Sequence, residues 1–226
     1  GADVIVNYFR NRDSAEETAA AISALGRRAQ LIKANVAEEA DLERLFEAAR
    51  AFGGLDILVN NAASGYNRPV LEQRTKGWDW TLNINARAAL FAAQHAAALM
   101  QACGGGSIVN ISSIGAQRVV SEYVLVGISK AALEALTRYL AVEFAPLNIT
   151  VNAVSGGFVE TDALKHFSAT QSILADPEAF VKQRVPAGRM VSADDIAAAV
   201  AFLCSADAAM IRGQVLVVDG GFTLTA

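Results

Sequence analysis

A tyrosine and a lysine seven residues apart, Tyr123 and Lys130, are the side chains best suited to proton chemistry in this 226-residue sequence. On a helix they would lie two turns apart on one face. A nearby ammonium favours ionisation of a phenol, whose ordinary pKa is about 10, so the pair can supply a proton or stabilise an oxyanion. Lysine also carries three N–H donors on a long stem that reaches sugar hydroxyls. An ordinary amphipathic helix produces the same spacing, so the pair alone leaves both interpretations open.

Short apolar segments alternate with helical patterns along the chain. The apolar segments are rich in Val and Ile and mostly lack polar alternation, which predicts strands covered on both faces. The predicted strands span residues 3–8, 29–36, 56–61, 107–112, 149–154 and 214–219. The predicted helices span residues 14–25, 39–51, 78–101, 123–144 and 193–204, the first with a capping-box spacing at Ser14 and Glu17. The alternation predicts one α/β domain over residues 1–226, with a doubly wound parallel sheet and helices on both faces.

The alternation is interrupted between residues 156 and 192. This stretch follows a predicted strand and contains Pro177 and Pro186. Ligands of doubly wound sheets bind beyond the carboxyl ends of the strands, so a long excursion at this point predicts a lid over a substrate. A variable surface insertion is the alternative.

Composition excludes several classes of protein. Hydrophobic residues make up 53% of the chain and the net charge is only -4, which excludes a disordered polar chain. The acidic balance argues against a nucleic-acid partner. Two cysteines form neither a disulfide framework nor a metal cluster, and no membrane span or signal peptide is evident. We expect a cytoplasmic protein that binds neither a metal nor a membrane.

Several strings resemble the short-chain dehydrogenase/reductase family, in the expected order over nearly the whole chain. They are Asn60-Asn61-Ala62, Asn85, Ser112-Ser113, Asn152 to Gly157 and Val218-Asp219-Gly220-Gly221. The resemblance implies a Rossmann-like fold in which Asn85 organises a water or proton relay. It adds Ser113 and Asn85 to Tyr123 and Lys130 as candidate catalytic residues. Ser113 follows a strand, and an ordinary turn hydroxyl explains it as well as a catalytic one.

The tyrosine is displaced relative to ordinary members of that family, in which it lies four residues before the lysine. Val126 stands there in this sequence. The spacing of Tyr123 looks like the enoyl-acyl carrier protein reductase branch. The strings NNAASG from residue 60, WDWT from residue 78 and TDALKHF from residue 161 are similar to its NADPH-preferring type III subgroup.

Reduction of an enoyl thioester gives the displacement a physical reason. Hydride goes to the β-carbon while negative charge develops on the thioester oxygen several bonds away, so the acid must stand farther from the nicotinamide. Three residues of helix displace a side chain by about 4.5 Å. We expect an enoyl-acyl carrier protein (or enoyl thioester) reductase of fatty acid synthesis in which Tyr123 stabilises the enolate. A 3-oxoacyl or other carbonyl reductase or alcohol dehydrogenase, and an inactive NADPH-binding sensor, are the alternatives.

The cofactor residues follow from the strand ends and the resemblance. Arg10 and Arg12 stand at the tip of the first predicted strand without an acidic residue, which favours the 2′-phosphate of NADPH over NAD, although a solvated basic turn has the same composition. Asn35 and Val36 resemble the pair beside the adenine. The candidate cofactor residues are Arg10, Asn35, Val36, Asn61, Ala62, Ala63, Ile111, Lys130, Gly157, Val159 and Thr161.

The resemblance also implies a substrate class, an oligomer and a further strand ahead of the position of Gly1. We expect a thioester on acyl carrier protein or CoA as substrate, and a homotetramer or homodimer packed through the alanine-rich segments Ala86–Ala98 and Ala131–Ala145. A family member has a first strand and a Gly-rich turn, a unit of roughly 30 residues, ahead of the position of Gly1. We therefore expect two neighbouring strands of the sheet to be separated by an empty strand position.

Overall fold

Strands and helices alternate along residues 1–159 and 175–225, which the computed structural model describes. The strands are β1 (Val4–Tyr8), β2 (Ala29–Lys33), β3 (Ile57–Asn60), β4 (Gly106–Ser113), β5 (Ile149–Gly156) and β6 (Val215–Val218). The helices are α1 (Arg12–Ala24), α2 (Glu39–Phe52), α3 (Thr75–Leu82), α4 (Ala88–Ala102), α5 (Val124–Glu143), α6 (Pro177–Arg184) and α7 (Ala193–Leu203). The predicted α/β fold is confirmed, and each predicted strand is present.

The sheet is parallel and divided into two parts. β1 pairs with β2, and β3, β4, β5 and β6 pair in that order. β1 and β3 face each other across a cavity of about 860 Å³ that runs along both strands. Ile57 and Val59 of β3 are therefore 39% and 40% exposed, although such side chains are normally covered in parallel sheets. The expected empty strand position is present between β1 and β3.

Apolar cores lie on both faces of the larger sheet part. On one face α2, α4 and α5 pack on β4 and β5, and the alanines of α4, such as the fully buried Ala93 and Ala96, allow close approach. On the other face α7 packs through Leu203 against Val109 and Val154. Every residue of β5 is buried, so this strand is the centre of the domain.

The predicted helix over residues 78–101 is longer and is interrupted. It begins with α3 at Thr75 and continues into α4, but between them residues Asn83–Arg87 form a π-helical turn. Such turns insert one residue into a helix and reorient the side chains that they carry. Asn85 lies in this turn and is buried.

Helix termini differ from the prediction at α1. The helix begins at Arg12, before Ser14, and its N-cap residue makes no side-chain capping bond, so the predicted capping box at Ser14 is wrong. Arg12 instead forms an ion pair of 2.7 Å with Glu16. A capping box does occur at α7, where Ser192 and Asp195 bond each other's backbone.

The predicted lid region, residues 156–192, is described only in part. Beyond β5, Val159 forms a parallel bridge with Val191, and α6 lies between them in sequence. Phe158, Phe180 and Phe222 form an aromatic cluster with ring centroids 5.2–5.8 Å apart, which joins the base of this region to the end of the chain. Among the helices of the described residues, none is long and apolar enough to cross a membrane.

Candidate active site

Tyr123 and Ser113 are brought together where β4 ends and α5 begins. Ser113 is the last residue of β4, and Tyr123 is the N-cap residue of α5, with φ −98° and ψ 15°. The sequence predicts a helix that begins at Tyr123. In the structure α5 begins one residue later, and Tyr123 is its N-cap residue. Its phenol hydrogen-bonds the side chain of Ser113, and burial raises its pKa above the ordinary value by more than this bond lowers it.

Lys130 lies in the second turn of α5 and is 5% exposed. Burial lowers the pKa of its ammonium from 10.5 to about 8. Its Nζ donates to the carbonyl of Ile111 over 2.7 Å, so two candidate residues meet on β4 and α5. The bond leaves two N–H donors of the ammonium for a ligand such as a ribose.

The pKa of Tyr123 is raised, although a close ammonium alone would lower it. Desolvation is the largest influence, and it raises the pKa. At neutral pH the tyrosine is therefore a hydrogen-bond donor. The effect of Lys130 on the phenol stays a prediction.

Asn85 connects the loop after β3 to α5. Its amide nitrogen donates to the carbonyl of Ser64 and to Oγ of Ser129, both over 2.9 Å, and its oxygen accepts from the backbone N–H of Ser64 over 2.8 Å. These bonds hold the two elements together beside Lys130, since Ser129 precedes it in the helix. The proton relay through Asn85 stays a prediction.

Glu134, a buried acidic residue of α5, was not among the candidate site residues. Glu134 is 5% exposed, accepts from Oγ of Ser112 over 2.7 Å and accepts from the side chain of Gln117 over 3.0 Å. It ties the end of β4 and the following turn to α5. Glu134 lies four residues after Lys130 and hence on the same helix face, and this spacing was the available signal. Ser112 faces Glu134, which leaves Ser113 as the hydroxyl that contacts Tyr123.

Arg10 follows β1 and differs from Arg12 in its surroundings. Its guanidinium lies 5.6 Å from the ring centroid of Phe9 and 5.8 Å from that of Trp80, whereas Arg12 is paired with Glu16. The described residues include no carboxylate paired with Arg10. Of the two arginines, Arg10 has the charge that remains available to a phosphate.

The other candidate cofactor residues occupy the carboxyl ends of the strands. Val36, Asn61 and Ala62 line the cavity between β1 and β3, and Ala63 is exposed beside them. The side-chain oxygen of Asn35 accepts from the backbone N–H of Ala37 over 3.2 Å, which makes the turn into α2. This bond uses one of its acceptor positions and leaves the other for an adenine.

The strand end of β5 carries the remaining candidates. The N–H of Gly157 donates to the carbonyl of Val218 over 3.0 Å, so the chain leaves the sheet still bonded to β6. Val159 makes the bridge to Val191. Thr161 lies outside the described residues. Within those residues no cluster of His, Cys, Asp or Glu has the arrangement of a metal site.

Known proteins resemble the chain over its whole length. A family model described as "Enoyl-(Acyl carrier protein) reductase" matches residues 1–223. A 1-cyclohexenylcarbonyl-CoA reductase of Streptomyces collinus is 37% identical over 227 residues, which cover 100% of this chain and 80% of the relative.

Two solved structures have the same fold. A putative short-chain alcohol dehydrogenase from Sinorhizobium meliloti 1021 has a TM-score of 0.90 at 34% identity, over 100% of this chain and 88% of the other. A gluconate 5-dehydrogenase from Burkholderia cenocepacia J2315, solved in complex with NADP and tartrate, has a TM-score of 0.88 at 29% identity, over 100% and 87%. Sequence and fold agree, and the chain is an oxidoreductase of the short-chain dehydrogenase/reductase family.

Proposed function

We propose that the protein reduces the carbon–carbon double bond of an enoyl thioester with NADPH. The observation that carries the proposal is the position of the phenol. Tyr123 stands at the N-cap of α5 and bonds Ser113, while Val126, one helical turn before Lys130, is apolar and buried. An acid farther from the nicotinamide suits charge that develops on a thioester oxygen several bonds from the carbon that accepts hydride.

The reaction consumes one enoyl thioester, one NADPH and one proton, and yields the saturated thioester and NADP⁺. NADPH, when bound, supplies the hydride that forms the new C–H bond at the β-carbon. The π-electrons of the double bond move toward the thioester carbonyl, whose oxygen becomes an enolate. Tyr123 donates its O–H to that oxygen and stabilises the charge. A proton then forms the second C–H bond at the α-carbon.

The side chains present fit a nicotinamide cofactor with a 2′-phosphate. The buried Lys130 keeps two donors for the ribose hydroxyls after its bond to Ile111, and burial strengthens such bonds. Arg10, which pairs with no carboxylate of residues 1–159 and 175–225, supplies a guanidinium at the end of β1, where an arginine accommodates a 2′-phosphate. The NADP complex of the Burkholderia relative supports this cofactor class.

Names of relatives support both an enoyl and a carbonyl substrate. The Streptomyces relative is named for 1-cyclohexenylcarbonyl-CoA, a thioester with a ring double bond beside its carbonyl, and the family description names an enoyl-acyl carrier protein reductase. The Sinorhizobium structure is titled an alcohol dehydrogenase. Carbonyl reduction is therefore the second candidate function. A role in fatty acid synthesis is part of the first candidate function, enoyl reduction.

The substrate carrier and the assembly belong to the same proposal. Lys182 and Arg184 are exposed on α6 within the proposed lid, and they suit an acidic acyl carrier protein, although CoA thioesters fit the same chemistry. Tyr139 and Val142 are 70% and 76% exposed on α5, which favours a homotetramer or homodimer packed through α4 and α5.

The decisive experiment compares NADPH oxidation with crotonyl and acetoacetyl thioesters. We expect turnover of crotonyl thioester and little turnover of acetoacetyl thioester. Tyr123→Phe is expected to lower crotonyl kcat by about 100-fold, as loss of an oxyanion donor does elsewhere, while NADPH binding measured by fluorescence is retained. Preferential acetoacetyl reduction would establish the second candidate, and NADPH binding without turnover would refute both.

A further inference from the structure

Two glycines form a slot around the ring of Tyr123. A Cβ placed on Gly115, in the turn after β4, would lie 2.5 Å from Cε1 and 2.7 Å from Cδ1 of the tyrosine. A Cβ on Gly127, in α5, would lie 2.7 Å from the carbonyl oxygen of Gly115 and 3.8 Å from Cδ1. Cβ atoms in proteins do not approach other atoms closer than 3.0 Å, so a side chain at Gly115 would meet the ring of Tyr123, and one at Gly127 would meet the backbone of Gly115.

Conformation does not require these glycines. Neither Gly115 nor Gly127 has the positive φ that favours glycine. In the middle of a helix, moreover, glycine is less stable than alanine by about 1 kcal/mol. The absence of a side chain at Gly115 is therefore explained by the ring of Tyr123, and its absence at Gly127 by the carbonyl of Gly115, which packs on α5 and carries the turn against that ring.

Position 126, one helical turn before Lys130, has no room for a tyrosine ring. Val126 is 5% exposed, and its Cγ2 packs onto the backbone of Gly65 so closely that a Cβ on Gly65 would overlap it. Thr81, fully buried, contributes its Cγ2 to the same contact. A tyrosine ring at position 126 would meet backbone, which cannot move aside as a flexible side chain can.

We propose that these glycines determine which bond of a thioester the protein reduces. Gly115 and Gly127 hold the phenol of Tyr123 against Ser113, and Gly65 with Val126 excludes a phenol from the position beside Lys130. The inference rests on the proposed function for its catalytic meaning, since it assigns the choice of C=C over C=O to the placement of one phenol.

A stability cycle tests the slot independently of catalysis. Gly115→Ala is expected to lower the Tm by about 3–10 °C, the effect of overpacking in a protein of this size. In a Tyr123→Ala background the ring is gone, and Gly115→Ala is expected to change the Tm by less than about 1 °C. Ala21→Ser, at an exposed position of α1, is the control and is expected to have the same small effect in both backgrounds. An equal loss in both backgrounds would overturn the slot.

A catalytic cycle then tests its role in selectivity. Gly115→Ala is expected to lower crotonyl kcat by about 10- to 100-fold in the native background, with the KM for NADPH unchanged, and by less than twofold in a Tyr123→Phe background. The double variant Tyr123→Phe with Val126→Tyr is expected to gain no acetoacetyl reduction, because the backbone of Gly65 excludes a phenol at position 126. A gain of that activity would overturn the exclusion. If the native protein itself prefers acetoacetyl thioester, the proposed function fails, while the Tm cycle still decides the slot.

Discussion

Replacement of Lys130 by methionine is expected to stabilise the folded protein at pH 7 and to abolish turnover. Burial lowers the pKa of this lysine from 10.5 to about 8. At 1.36 kcal/mol per pH unit, holding the protonated side chain in the folded state costs about 3 kcal/mol at pH 7. Methionine has a similar length and no charge. The substitution also removes the charge-assisted hydrogen bond to Ile111, which contributes about 1.5–3 kcal/mol, so a net stabilisation of up to about 1.5 kcal/mol remains.

The pH dependence gives the sharper test. Because the folded pKa is below the unfolded one, the unfolded chain binds more protons between about pH 8 and 10.5, and the native protein gains stability as the pH rises through that window. The cost of the charge falls to about 1 kcal/mol at pH 9.5. The stability difference between Lys130→Met and the native protein is therefore expected to fall by about 2 kcal/mol between pH 7 and pH 9.5.

Urea unfolding at the two pH values measures this difference directly. Every other group titrates alike in the two proteins, so its contribution cancels. Lys76→Met, at an exposed position of α3, provides the baseline and is expected to show no such change. If the difference for Lys130→Met is the same at both pH values, or grows with pH, the burial argument is refuted.

Four other substitutions separate cofactor binding from folding. Arg10→Ala is expected to raise the KM for NADPH by about 10- to 100-fold and to leave the KM for NADH unchanged. Arg12→Ala is expected to change the KM for NADPH by less than about twofold, because Glu16 already pairs with the guanidinium of Arg12. Steady-state kinetics measure both effects. Asn85→Ala breaks three hydrogen bonds, one buried and two partly buried, and is expected to lower the free energy of unfolding by about 2–4 kcal/mol in urea titrations. Met100→Ala, at a fully buried site, is expected to lower it by about 2–5 kcal/mol while KM values stay unchanged.

The alternation of strands and helices could be predicted because it depends on burial alone. Most residues of the predicted strands are buried or partly buried, and β5 is completely covered. Ile57 and Val59 are exposed because of the gap between β1 and β3, and Leu216 and Val217 are exposed on β6, the last strand of the larger sheet part. A periodic pattern reports which residues face a core, and this sheet is made of such residues.

Local details escaped the pattern because side-chain competition decides them. The π-helical turn at Asn83–Arg87 inserts one residue into the predicted helix over residues 78–101. The part of that helix that follows the turn is so rich in alanine that the insertion leaves its apolar pattern intact. Ser14 has the capping spacing, but α1 begins two residues earlier, where Arg12 pairs with Glu16. The spacing of Tyr123 and Lys130 placed both on one helix, whereas the tyrosine caps it.

Burial acts on the two candidate catalytic groups in opposite directions and leaves a site made of donors. It raises the pKa of Tyr123, so the phenol is protonated at neutral pH, and it lowers that of Lys130 only to about 8, so the ammonium is still mostly charged at pH 7. Neither group is a base under these conditions, and both stabilise negative charge on a nearby oxygen. This suits reduction, in which the arrival of hydride creates that charge, better than oxidation, which must first remove a proton. Because the desolvation comes from packing between α5 and β4, a substitution that admits water there would weaken the chemistry without touching either group.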